Sequence, residues 1–227
     1  EAVKLVADVL KIYKDSPEVA EVIAVEIGNI ARITKNAKTV KFVAEMFKDE
    51  DVRRVIEIYK DIPEVFEVIA FAIREDALET KNAKTVKFAA QMFKDEDVRR
   101  VIEIYKDSPE VAEEIVFTIK DVARDSGDVE AVKLVADVLK IYKDSPEAAK
   151  AIASAIRYVA RETEDAKVVK KLSDLVKDKK IGRYIIKLSY ENVIKLSTKY
   201  YDLIKSEGTE GIKKVEIGEI LGIDPRD

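Results

Sequence analysis

The chain has 227 residues, with 41 Lys and Arg against 45 Asp and Glu and a formal net charge of −4. So even a balance at 38% charged residues excludes a globally basic nucleic-acid binder and a disordered acidic chain. With neither Cys nor His, disulfides, thiolate nucleophiles, zinc–thiolate sites and the usual near-neutral base are excluded too. Only one Gln and four Asn occur among abundant Glu, Lys, Ile and Val, a composition expected of a cytoplasmic protein from a hyperthermophile. No apolar run reaches membrane-spanning length. The chain opens on Glu1 rather than Met, so either an artificial boundary or missing upstream residues are expected.

The elements follow from a repeat. The string IYKD-x-PE occurs four times, with Pro17, Pro63, Pro109 and Pro146 at steps of 46, 46 and 37 residues. Units are expected at about 1–34, 35–80, 81–126, 127–163 and 164–206, followed by a loop and short capping helix over 207–227. The first unit reads as two helices, AVKLVADVLKIYKD and a second that opens at Pro17, where a missing N–H costs nothing. The second unit reads as three, with Asp49, Glu50 and Asp51 between its first two helices as a capping residue and acidic first turn. The third unit repeats it: residues 34–61 and 80–107 differ only at Val43/Ala89 and Glu45/Gln91. The fourth returns to the two-helix form, residues 130–147 being identical to 1–18. A decayed fifth unit follows, then one amphipathic helix over YENVIKLSTKYYDLIK, a loop at SEGTEG and a closing helix in GIKKVEIGEILGIDPRD. In all, about thirteen or fourteen helices and no sheet are expected.

Unit length and helix pattern resemble the armadillo and HEAT class of α-α superhelices, over roughly residues 1–206. More narrowly, the chain resembles uncharacterised helical-repeat proteins of hyperthermophilic archaea. The resemblance implies an all-α, right-handed α-solenoid of alternating two-helix and three-helix repeats, each stable only when stacked on its neighbours.

Comparison of the copies separates packing from surface. Ile23, Ile69, Ile115 and Ile152 correspond in the last helix of each unit, as do Ile27, Ile73, Ile119 and Ile156, and Ala31, Ala77, Ala123 and Ala160. Steps of four make this one stripe, expected to be the core between repeats. Divergence falls elsewhere on the same helix, at Val22, Glu26 and Asn29; Val68, Ala72 and Glu75; Glu114, Thr118 and Asp121; and Ala151, Ala155 and Tyr158. In armadillo-like folds the last helix lines a concave groove, so the resemblance implies that these twelve positions contact a protein partner. The competing explanation is that this face drifts in solvent or adjusts packing between unlike units.

Catalytic chemistry finds no footing: the seven glycines form no phosphate loop, and helix capping explains the paired carboxylates. A carboxylate-only magnesium or calcium site lacks EF-hand spacing, so neither metal nor cofactor is expected. A non-enzymatic protein-interaction scaffold is therefore the leading expectation. The alternative is nucleic-acid binding by the fifth unit, where residues 166–199 hold ten basic side chains against three acidic ones, Lys179, Lys180 and Arg183 being the central candidates and Tyr184 and Tyr190 the nearby aromatics.

Overall fold

A computed structural model describes residues 2–221, and these form an all-α protein. In chain order the helices are α1 (Ala2–Ile12), α2 (Pro17–Thr34), α3 (Ala37–Lys48), α4 (Glu50–Tyr59), α5 (Pro63–Thr80), α6 (Ala83–Lys94), α7 (Glu96–Tyr105), α8 (Pro109–Ser126), α9 (Val129–Ile141), α10 (Pro146–Thr163), α11 (Ala166–Val176), α12 (Lys179–Ile185), α13 (Tyr190–Thr198), α14 (Tyr201–Glu207) and α15 (Thr209–Leu221). That is fifteen among the described residues, more than the sequence pattern suggests. The surplus arises at the C-terminal end. YENVIKLSTKYYDLIK breaks between Thr198 and Tyr201, and SEGTEG is no loop: α14 runs to Glu207 and α15 begins at Thr209, with Gly208 between them at φ 62°. The expected closing helix is α15, although Gly222–Asp227 lies outside the described residues.

Local chemistry sets the helix ends. Asp49 accepts a hydrogen bond from the amide of Asp51 at 3.0 Å, and Asp95 does the same for Asp97 at 2.9 Å, which starts α4 and α7 where the acidic first turn opposes the macrodipole. The unit-final helices α2, α5, α8 and α10 all open on proline. They all close on a left-handed residue, Lys35, Lys81, Gly127 or Glu164, whose amide bonds back to the carbonyl of Ala31, Ala77, Ala123 or Ala160.

Each helix packs on near neighbours in the sequence order. α1 lies against α2 and α3, α4 against α5 and α6, α7 against α8 and α9, and the final helices run α2–α5–α8–α10. The shared isoleucine stripe is buried throughout, Ile23, Ile69, Ile115, Ile119, Ile152 and Ile156 being fully enclosed. Ala77, Ala123 and Ala160 are buried with it, whereas Ala31 in the first unit is exposed.

The tyrosine of IYKD fastens each unit to the next. The hydroxyls of Tyr13, Tyr59, Tyr105 and Tyr142 donate to the carbonyls of Phe47, Phe93, Leu139 and Val176 at 2.7, 2.9, 2.8 and 2.5 Å, always 34 residues on. Those carbonyls sit in the last turn of α3, α6, α9 and α11, where intrahelical donors run out; at Leu139, which also accepts from the Tyr142 amide at 3.1 Å, the phenol adds a second bond. Burial holds the Tyr105 and Tyr142 hydroxyls protonated, pushed up to about 12, as a donor requires. The series ends in the fifth unit, where Leu188 stands in the tyrosine position.

Candidate functional site

The twelve divergent positions do not form an accessible strip. Ala72 and Thr118 are fully buried, Asp121 and Ala155 are 1% and 3% exposed, and Glu26 is buried at 9%. Val22, Asn29, Val68, Glu75, Glu114, Ala151 and Tyr158 are half-buried. The reason is geometric: this face of each final helix looks toward the final helix of the next unit. Thr118 Oγ1 reaches the carbonyl of Ala153 on α10 at 3.1 Å, and Asp121 accepts a hydrogen bond from Arg157 Nε at 2.6 Å. The copies differ here because each joint is built from its own set of partners.

Those partners are largely ionic. At one register the final helices carry Gly28, Arg74, Lys120 and Arg157, so three of the four present a cation to the preceding helix. Arg74 Nε lies 3.0 Å from Glu26 Oε2, an ion pair by distance whose N–H does not point along a hydrogen-bond line. Burial raises the Glu26 pKa, Arg74 pulls it back, and Glu75 and Glu67 push it further up. Asp121 meets Lys120 at 3.0 Å and Arg124 at 3.1 Å besides Arg157; burial works to raise its pKa, and these cations outweigh burial and hold it below the usual range. Asp76 is fully buried, neither of its oxygens has a hydrogen-bond donor, and Arg124 stands 3.6 Å away. Burial pushes its pKa up to about 7; Lys120 and Arg124 lower it, while Asp121 and Glu79 raise it.

The solvent-facing positions on the final helices lie one position round. Glu21, Glu67 and Glu113 correspond and are all exposed; one turn on, Val25 is exposed, Phe71 half-buried and Phe117 buried. Phe71 and Phe117 meet edge to face at 5.7 Å, with the Arg74 guanidinium 4.1 Å over Phe71 and that of Arg157 4.7 Å over Phe117. Toward α2 this line opens into a groove of about 480 Å³ lined by Glu18, Glu21, Val22, Val25, Glu26 and Glu67, with Val25 at 52% exposure. Toward α10 a second groove of about 450 Å³ holds Glu114, Arg157, Tyr158, Arg161 and Tyr190, the two tyrosines stacked at 4.7 Å. Thus Val22, Glu26, Glu114 and Tyr158 reach groove walls, while Ala72, Thr118, Asp121 and Ala155 belong to joints. Divergence between copies marks both kinds of position alike, so it does not separate groove wall from joint. The exposed carboxylates recur unchanged as Glu21, Glu67 and Glu113, so divergence does not mark them.

In the fifth unit Lys179, Lys180 and Arg183 are exposed together on α12, and no ion pair engages them among the described residues. Other members of the basic run have structural partners. Lys170 pairs with Asp128 at 2.8 Å, and Lys171 and Lys199 each lie 5.1 Å over a tyrosine ring, Tyr201 and Tyr200. Tyr184 is half-buried and Tyr190 is engaged by Tyr158. No group of three or more potential metal-ligating side chains occurs among the described residues, and no described helix is long and apolar enough to cross a membrane. No protein-family model, curated protein or solved structure matches the chain.

Proposed function

We propose that the protein is a non-enzymatic scaffold, a right-handed α-solenoid that binds a protein segment on the exposed line of its unit-final helices. The run of nearest-neighbour helix contacts and the four tyrosine bonds support the solenoid arrangement. One observation carries the binding assignment: Val25 stands half out in solvent inside a groove rimmed by Glu18, Glu21 and Glu67. An apolar floor with a carboxylate rim suits an amphipathic helix with basic flanks, the apolar contact supplying area and the charges supplying orientation and faster encounter.

The test is fluorescence anisotropy with two labelled 18-residue amphipathic peptides of equal hydrophobicity, one Lys/Leu and one Glu/Leu. The Lys/Leu peptide binds, and the Glu21→Lys, Glu67→Lys double variant weakens it by about tenfold or more, ~1.4 kcal/mol, with an unchanged melting temperature. Equal binding of both peptides, or no effect of the double variant, contradicts the reading. The second reading, nucleic-acid binding, draws on the exposed Lys179, Lys180 and Arg183. It requires retardation of single-stranded or duplex nucleic acid that falls steeply with added salt.

A further inference from the structure

The chain contains its own reference for a surface that it leaves open. Residues 1–18 and 130–147 are identical, so α1 and the matching part of α9 present the same side chains. In α9, Val135, Ala136 and Leu139 are fully buried; in α1, Ala7 is exposed and Val6 and Leu10 are only half-buried. The same holds in the following helices, where Ala153 and Ala160 of α10 are buried while Ala24 is half-buried and Ala31 exposed. Within its own and the next unit, α1 has the neighbours that α9 has: α2 and α3 stand for α10 and α11. What α9 has in addition is α7 and α8, the second and last helices of a three-helix unit. Where they are missing, an apolar groove of about 650 Å³ opens between α1 and α2, lined by Val6, Ala7, Leu10, Ala24, Ile27 and Ala31 among others.

The polar contacts are duplicated as well. At the covered copy, Tyr105 donates to the Leu139 carbonyl at 2.8 Å, Asp97 pairs with Lys140 at 2.7 Å and Asp95 lies 3.4 Å from Lys133. The counterparts in the open copy are the Leu10 carbonyl, Lys11 and Lys4. Among the described residues Lys11 keeps only the local pair with Asp8 that Lys140 also keeps with Asp137. We infer that the α1–α2 face is the docking site of a further three-helix unit of the α6–α8 type, preceding Glu1 in the same polypeptide. That unit carries a tyrosine for the Leu10 carbonyl and two capping carboxylates for Lys4 and Lys11. A second copy of the chain is a poor occupant, because both of its three-helix units of this type already have that face covered by the unit that follows.

The test joins residues 80–129 directly ahead of Glu1, which reproduces the junction before Glu130, and compares this extended protein with the 227-residue chain. The extended protein is expected to melt in one transition at a higher temperature, with the added unit resistant to protease. Lys11→Glu is expected to lower the midpoint of the extended protein by about 2 to 4 °C more than that of the shorter chain. Introducing Asp97→Lys in the added copy alone is expected to restore most of that loss. An added unit that is digested away while the rest persists, or an equal effect of Lys11→Glu on both proteins, overturns the inference. So does a dimer of the 227-residue chain that Ala7→Glu dissociates, since the occupant is then a second copy.

Discussion

At the scale of single residues, two buried polar groups have testable consequences for stability. Tyr59→Phe keeps the ring but leaves the Phe93 carbonyl without its donor, and the expected cost is about 1 to 3 kcal/mol in urea unfolding. Asp76 acts in the opposite sense. Its carboxyl is pushed up to about 7 in the folded protein, so between roughly pH 4, the ordinary Asp range, and pH 7 the native state binds more protons than the unfolded chain. Stability from this group therefore falls as pH rises through that window and is flat above it. Melting curves across pH 4 to 8 should show Asp76→Asn gaining on the parent as pH rises; a pH-independent difference would mean that Asp76 ionises normally. Asp121 has the reverse dependence, its contribution being lost only as pH drops below the usual carboxylate range.

At the scale of elements, the fifth unit shows how one residue accommodates a joint. A Cβ on Gly182 of α12 would sit 2.1 Å from the Tyr142 hydroxyl and 3.1 Å from its ring, in the place that Tyr142 needs to reach the Val176 carbonyl. Gly182→Ala is expected to destabilise despite the better helix propensity of Ala. In a Tyr142→Phe background its cost should shrink, because the closest clash is with the hydroxyl; additivity of the two changes would refute this account. Helix existence was legible in the sequence because proline, capping Asp and the four-residue stripe speak locally. The end of the chain was less so. Nothing in KLSTKYYDLIK distinguishes one helix from two, and the break at Lys199 and Tyr200 depends on where α14 must lie, with Tyr201 and Lys205 both bonded to Asp174 of α11. Which face of the final helices is exposed was least legible. Positions 22, 26 and 29 share a helical face, but whether that face meets water or the next helix is a property of stacking angle. The recurrence of cations at 74, 120 and 157 was the available sign that it meets a charged neighbour.

At the scale of the whole molecule, some joint contacts repeat while others change partners. The pairs Asp49–Lys87 and Asp51–Lys94 recur one unit later as Asp95–Lys133 and Asp97–Lys140, so the capping motif between helices also ties each three-helix unit to the next. Between the final helices, by contrast, the ionic contacts change from joint to joint. In a linear stack stability is the sum of unit and joint terms, so damage at one joint is felt locally and fades with distance. Native-state hydrogen exchange on the parent and on Tyr59→Phe tests this most directly, because the substitution touches only the joint between the second and third units. The account predicts the largest loss of protection in α4 and α6, less in α9, and none beyond experimental error in α13. An equal loss of protection in every helix would show one global cooperative core and contradict the unit-by-unit architecture.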